Sequence, residues 1–421
     1  MSFTEIPILD MALARDPATK PGFLADLRHA LMEVGFLYLK NVGISDELFA
    51  RVIKEGKSFF EIPIEEKLKI EMKNAPSFLG YSQLSAEITA GQIDHREQID
   101  LSTEHPVPGP DAPRHHNLLA PNQWPAASVL PDFRPVFTEY MSRMGAVSVQ
   151  FTSLIAEAVG LPSDAFDKYF DGPGAVDQQH KLKIVKYPDV AELGLPPSSS
   201  ESGAGATQGQ GVGPHKDSML SSYLLQASAH RGLQVQNMRG EWIDCPPLEG
   251  TLVVAIGQGL EALTQGVCCS TTHRVLSPVA GAGARYSIPF FQGVRGDATF
   301  ADLESVGVEQ VPPDVRDQRR QVLEANGGGR LDDVEFTFRG GGVAKTLGEA
   351  TLRNRVKSHP DVGERWYPDI LRDIREQQAR EAREKKSEGV GAAAVGKGAD
   401  GATSRAQSHA TNNSTTAVEA H

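Results

Sequence analysis

The chain is short of cysteine, short of positive charge and without long apolar runs, and each shortage removes a class of function. Three cysteines, Cys245, Cys268 and Cys269, in 421 residues are too few for a disulfide framework. The adjacent pair has neither a C-x-x-C spacing nor clustered histidines, so buried, reduced thiols acting as small apolar side chains are expected. Lys and Arg number 42 against 54 Asp and Glu, a net charge of −12. That is the wrong sign for a nucleic-acid or anionic-membrane binder, whose phosphate contacts need a basic footprint. No apolar run approaches the roughly 18 residues of a membrane helix, and no basic-then-apolar leader opens the chain, where Ile6 to Leu9 reads as a first strand. A cytoplasmic protein with no membrane and no nucleic-acid partner is expected. With 40% hydrophobic residues it can bury a sizeable core.

What the sequence does hold is a set of four residues, His215, Asp217, His273 and Arg285, in three apolar segments. Two imidazoles and one carboxylate are the ligand set of a mononuclear non-haem iron(II) site, because they leave positions open for a cosubstrate and O2. His215 and Asp217 are two apart, so on a β-strand both project from one face, with Lys216 turned away. His273 follows 56 residues after Asp217, room for several strands between them. Arg285 and Ser287 share a face of the next segment by the same alternation. A guanidinium fork beside a hydroxyl suits a carboxylate, and the implied ligand is a small dicarboxylic acid.

An H-x-D triplet alone says little, and the chain carries its own decoys in His359-Pro360-Asp361 and His95-Arg96-Glu97. The first has Pro360 between the would-be ligands and lies in charged, helix-like surroundings. The second has no apolar alternation to place it in a sheet. His105, His115 and His116 fall in a Pro- and His-rich stretch, 102–125, that reads as a surface loop rather than a metal cluster.

Periodicity gives the organisation. Pro21 to Val42 reads as an amphipathic helix feeding the strand Phe36-Leu37-Tyr38-Leu39, Asp46 to Phe60 repeats the helical pattern, and Ser128 to Leu161 is a long helical region. From Lys181 the period changes to two, with Lys183, Val185 and Tyr187 on one face of a half-buried strand. Pro196 to Gly213 reads as a Ser- and Gly-rich loop inserted ahead of the metal strand. Leu220 to Ala227, Leu233 to Asn237, Trp242 to Asp244 and Thr251 to Ile256 are further short strands. Many short strands with this ligand set predict a mainly β fold with flanking helices around a double-stranded β-helix, or jelly-roll, core. Val334 to Phe338 reads as a strand, Leu347 to Val356 as a helix, and Arg365 to about Arg383 as a charged helix. The expected divisions are an α/β region over 1–125, helical support over 126–180, the jelly-roll core over 181–300, a helical extension over 301–386 and a disordered tail over 387–421.

These landmarks, taken in order, resemble the isopenicillin N synthase-like branch of the iron(II)/2-oxoglutarate-dependent dioxygenases over roughly residues 5–300. The N-terminal likeness rests on Ile6-Pro7-Ile8-Leu9-Asp10, Gly35 to Asn41, Phe59-Phe60, Gly80-Tyr81 and Asp94 to Glu97. The C-terminal likeness rests on Tyr187-Pro188, His215-x-Asp217, Gly232 to Val235, Trp242, Pro246-Pro247, His273-Arg274-Val275 and Arg285-x-Ser287. The resemblance implies iron(II) on His215, Asp217 and His273, and 2-oxoglutarate with its distal carboxylate on Arg285 and Ser287 assisted by Tyr187. It also implies O2 as oxidant, and Lys183 and Phe291 at the pocket. The implied reaction hydroxylates, desaturates or cyclises a small organic molecule with release of succinate and CO2. Two departures touch neighbouring positions: Ala255-Ile256-Gly257-Gln258 stands where the family has Asn-x-Gly-Asp, and Thr264-Gln265-Gly266 where it has Ser-Asn-Gly. A same-fold oxidase that uses no 2-oxoglutarate and a non-enzymatic ligand-binding sandwich remain as alternatives. The substrate stays open among flavonoids, alkaloids, peptides, nucleobases and secondary metabolites.

Overall fold

Short alternating segments pull the chain into two facing β-sheets, seen in a computed structural model that describes residues 2–89, 92–170, 180–194, 209–299, 310–327, 344–380 and 383. The chain divides into two compact units, Met1–Pro368 and Asp369–His421. The second is described over 369–380 and 383, where it is helical. The rest of the fold description concerns the first. The Val334 to Phe338 strand, the 387–421 tail and most of the Pro196 to Gly213 loop lie outside the described residues.

The strands are β1 (Ile8–Asp10), β2 (Phe36–Lys40), β3 (Gly80–Ser82), β4 (Ile88–Thr89), β5 (Gln92–Ile93), β6 (Glu97–Ser102), β7 (Lys181–Tyr187), β8 (Gln210–His215), β9 (Ser221–Gln226), β10 (Leu233–Gln236), β11 (Trp242–Asp244), β12 (Thr251–Ile256), β13 (His273–Leu276) and β14 (Arg285–Gln292). The larger sheet runs β1-β2-β12-β9-β14-β7-β6-β3 and the smaller β11-β10-β13-β8, while β4 and β5 pair alone. The N-terminal region therefore completes the same sheet that the core strands build: β2 lies antiparallel to β12, Thr251 opposite Lys40. Val185, Tyr187, Val212, Leu233, Val235, Val253 and Val275 fill the space between the sheets. This is the jelly-roll arrangement.

The outer face of the large sheet is covered by α1 (Lys20–His29), α2 (Asp46–Glu61) and α4 (Phe133–Ala158), with the short α3 (Ile64–Lys69) following α2. Leu27, Val52, Phe59, Phe137, Phe151, Leu182, Ile184, Ile288 and Phe290 share this core. Ser45 caps α2, its hydroxyl accepting from Leu48 N–H at 3.3 Å, an arrangement worth about 1 kcal/mol. Because both faces of the sheet are covered, β7 is buried on both sides rather than half-buried as its alternation suggests.

Three other boundaries differ from expectation. The helix predicted to start at Pro21 gives way to a π-helical turn, Ala30–Val34. Gly35 then turns left-handed (φ 70°) where a Cβ would stand 2.3 Å from the Cys269 carbonyl oxygen, so only glycine fits. The predicted loop ending at Gly213 is strand from Gln210, because Gln210 and Val212 pair with Leu276 and Val275. The helix predicted from Arg365 breaks at Tyr367, the residue before Pro368, where proline disfavours the helical conformation. Cys245, Cys268 and Cys269 are free and buried.

Candidate active site

The metal-ligand candidates come from the rim of the small sheet. His215 ends β8 and His273 begins β13, directly opposite each other, and their rings lie 4.2 Å apart between centroids, tilted by 51°. Asp217 is not on the strand as its spacing suggested; it lies two residues past the end of β8. It still meets both histidines: Oδ1 is 3.7 Å from His215 Nε2 and 3.8 Å from His273 Nε2. Among the described residues this is the one group of three or more His, Cys, Asp or Glu side chains whose ligand atoms converge, all within 4.8 Å.

Neighbouring groups hold each ligand in place. The Gly213 carbonyl accepts from His215 Nδ1 at 2.8 Å and the Thr271 carbonyl from His273 Nδ1 at 3.2 Å. Both bonds put the proton on Nδ1 and leave the Nε2 lone pairs free for a metal. Burial and the His273 ring push the His215 pKa down to about 3, so the ring is a neutral ligand. Ser222 donates a short hydrogen bond to Asp217 Oδ2, and Gln258 N–H, at the start of α5 (Gln258–Leu263), donates to the Asp217 carbonyl at 2.8 Å. A Cβ on Gly257 would stand 1.8 Å from the Met219 carbonyl oxygen, which is why this close crossing carries glycine. Ala255 to Gln258, the segment that departs from the family pattern, thus backs the acidic ligand without entering the site. The second departure forms a left-handed turn at Gln265 and Gly266.

The carboxylate candidate lies on the inner face of the large sheet, opposite. Arg285 is 1% exposed, pairs across β14 and β7 with Tyr187, and lays its guanidinium 5.1 Å from that ring. Its Nη2 donates to Gln226 Oε1 at 3.2 Å, but Nε and Nη1 have no partner. Burial lowers its pKa. Two unmet donors on a buried guanidinium fit a carboxylate, and Ser287, also buried, stands two residues along the same face.

Lys183 and Phe291 are on this inner face too. Lys183 is no solvated lysine: Nζ lies 3.4 Å from Glu87 and 3.5 Å from Asp100. Phe291 sits opposite Ser222 and is half-buried. The decoys separate from the ligand set. His359 is buried with Nε2 3.0 Å from Glu87, and His95 faces Ser85. His115 and His116 pack edge to face. Ser222 and Gln226 were not singled out from the sequence, where their signal is a polar residue on the inward face of an otherwise apolar strand; Gly257 and Gln258 were noted there only as a departure from the family pattern at neighbouring positions.

Residues 6–127 match the family described as non-haem dioxygenase in morphine synthesis N-terminal, and residues 181–294 match the 2OG-Fe(II) oxygenase superfamily. A 2-oxoglutarate-dependent dioxygenase, frbJ, of Dothideomycetidae sp. (strain 11243) is 63% identical, covering 90% of this chain and 97% of its own. The chain belongs to the iron(II)- and 2-oxoglutarate-dependent dioxygenases. A homoarginine-6-hydroxylase of Glycine max is 33% identical over 72% of this chain and 89% of its own. The crystal structure of a full-length Neurospora crassa protein in complex with alpha-KG superposes with a TM-score of 0.55 at 25% identity, covering 70% of this chain and 86% of that one. The dioxygenase takes iron(II), 2-oxoglutarate and O2. Its converging Nε2 and Oδ1 atoms and the unpartnered Arg285 donors suit the first two of these. No helix among the described residues is long and apolar enough to cross a membrane.

Proposed function

We propose that this dioxygenase hydroxylates a small organic molecule, with His215, Asp217 and His273 holding iron(II) and with Arg285, Ser287 and Tyr187 receiving the distal carboxylate of 2-oxoglutarate. The observation that carries the assignment is the pairing of a three-ligand cluster with a buried guanidinium that keeps two donors unmet on the facing sheet. Bound there, iron(II) supplies the activation of O2 that couples decarboxylation of 2-oxoglutarate, to succinate and CO2, with oxidation of a substrate C–H bond. The protein's share is positional. Gly213 and Thr271 fix the imidazoles, Ser222 aims the carboxylate while Gln258 holds the Asp217 main chain, and Arg285 anchors the cosubstrate. Phe291 and Lys183 face the substrate space, Phe291 helping to exclude water. Hydroxylation is the activity in the soybean relative's name. The free, buried cysteines support a reducing compartment, the cytoplasm.

Anaerobic titration with iron(II) and then 2-oxoglutarate tests the assignment through the weak visible charge-transfer absorption of the chelate. The band is expected in the wild type, absent in Asp217→Ala for want of metal, and reduced in Arg285→Ala for want of cosubstrate. Iron binding that survives Asp217→Ala unchanged would remove that residue from the ligand set.

A further inference from the structure

A second buried basic side chain stands on the inner face, its pKa held well below the usual lysine value by burial, and the reaction as read above makes no use of it. Lys181 is 4% exposed and its Nζ has no hydrogen-bond partner. Alternation along β7 puts it on the face of Lys183, Val185 and Tyr187, the last two of which line the space between the sheets.

Strand register fixes where it lies relative to the metal ligands. Lys181 is opposite Phe291, Phe291 is opposite Ser222, and the Ser222 hydroxyl holds Asp217. Two strand spacings place the Lys181 backbone about 10 Å across the sheet from that of Ser222. A small molecule lying over Phe291 would span that distance, with one end at the metal and the other at the ammonium.

The surroundings are charged but one anion short. Asp100 accepts from Gln98 at 2.6 Å and meets Lys183 at 3.5 Å and Arg355, on the helix Leu347–Ser358, at 3.4 Å. Glu87 meets Arg96, Lys183 at 3.4 Å and His359 at 3.0 Å, and Asp94 meets Arg96 at 3.1 Å. Lys183, Arg96 and Arg355 each have a carboxylate among Glu87, Asp94 and Asp100. Among the described residues Lys181 has none, although Arg355, Asp100 and Lys183 are its electrostatic neighbours. A buried ammonium in that position either gives up its proton or waits for an anion.

We propose that Lys181, with Arg355 beside it, binds a carboxylate of the substrate, so that this dioxygenase acts on a small carboxylic acid held by its acid group beyond Phe291. The inference rests on the iron and 2-oxoglutarate assignment for its direction, since it places the acid group across the sheet from the reacting carbon. Lys183 then serves to bridge Glu87 and Asp100 and to hold the cluster in place. The aliphatic stem of Lys181 packs as any apolar chain would, and its amine is the part left for the ligand.

The test uses the full chain loaded with manganese(II) and saturating 2-oxoglutarate, which fills the Arg285 end. Hexanoate and phenylacetate are titrated by calorimetry against hexanamide and phenylacetamide, their neutral counterparts. The acids are expected to bind about tenfold or more tighter than the amides, the worth of one charge-assisted hydrogen bond. Lys181→Met, which keeps length and burial, is expected to abolish that preference, and Lys181→Arg to retain it. Absence of any acid preference in the wild type overturns the proposal, and so does a preference that persists in Lys181→Met. Manganese and 2-oxoglutarate binding are read separately, by the manganese spin resonance and by cosubstrate titration. Failure at that step counts against the iron and cosubstrate assignment, while the Lys181-dependent preference is still read in the unloaded protein.

Discussion

Among single residues, Arg285 has the sharpest role to test. Its two unmet donors point to bidentate recognition, and a lysine in its place offers a point charge on a more flexible stem. Arg285→Lys is therefore expected to raise the dissociation constant for 2-oxoglutarate about tenfold or more while leaving iron affinity near that of the wild type, as separate titrations of the two ligands would show. The grouping of His215, Asp217 and His273 and the burial of Arg285 were legible in the sequence because these side-chain types admit few other joint uses. Asp217 shows the limit of that reading. Its spacing from His215 suggested a shared strand face, whereas the strand ends at His215, the Ser222 hydroxyl bonds the carboxylate and the Gln258 N–H holds the Asp217 backbone carbonyl. Ser222 could not be named beforehand, because one serine in an apolar strand reads the same whether it faces a ligand or solvent, and Gln258 acts through its backbone N–H, which no side-chain pattern announces.

For elements, the site depends on crossings that bring distant segments within van der Waals contact. The turn from β12 into α5 passes over the Met219 carbonyl so closely that Gly257 leaves no room for a methyl group. Gly257→Ala must push that turn away from Asp217 and loosen the Gln258 bond to its carbonyl. The expected result is iron affinity lower by about 10- to 100-fold, as when a ligand's hydrogen-bonded support is removed, with the small-sheet pair of His215 and His273 preserved. Metal titration alongside far-ultraviolet circular dichroism separates that outcome from unfolding. Strands β11 and β12 matched their predicted limits because Gly and Pro bound them. The contribution of Arg355 did not show, since its partner Asp100 is 255 positions away in sequence and no local pattern carries such a pairing.

For the whole molecule, the covered sheet makes stability depend on pH through groups that folding strips of water. His180, against the Phe290 ring, has its pKa lowered by burial to about 4 from 6.5. The unfolded chain thus binds a proton there between pH 6.5 and 4 that the folded protein does not, and stability falls as pH drops through that window and levels off below it. Full loss amounts to about 3 kcal/mol. Urea unfolding of wild type and His180→Gln across this range should show the wild type losing more stability on acidification, and parallel curves would remove His180 as the cause. The jelly-roll class was legible from strand count and ligand chemistry together. The joining of the N-terminal strands to that core was not, because periodicity shows which face of a strand is apolar and says nothing about its neighbour.

That joining has a consequence for the nascent chain. β2 ends at Lys40 and its partner β12 begins at Thr251, so 251 − 40 = 211 positions must be added before the pair can form. At about 5–20 residues per second on the ribosome, the early strand waits roughly 10–40 seconds with one edge open. The segment Phe36-Leu37-Tyr38-Leu39 spends that interval without the partner that covers its edge in the folded protein.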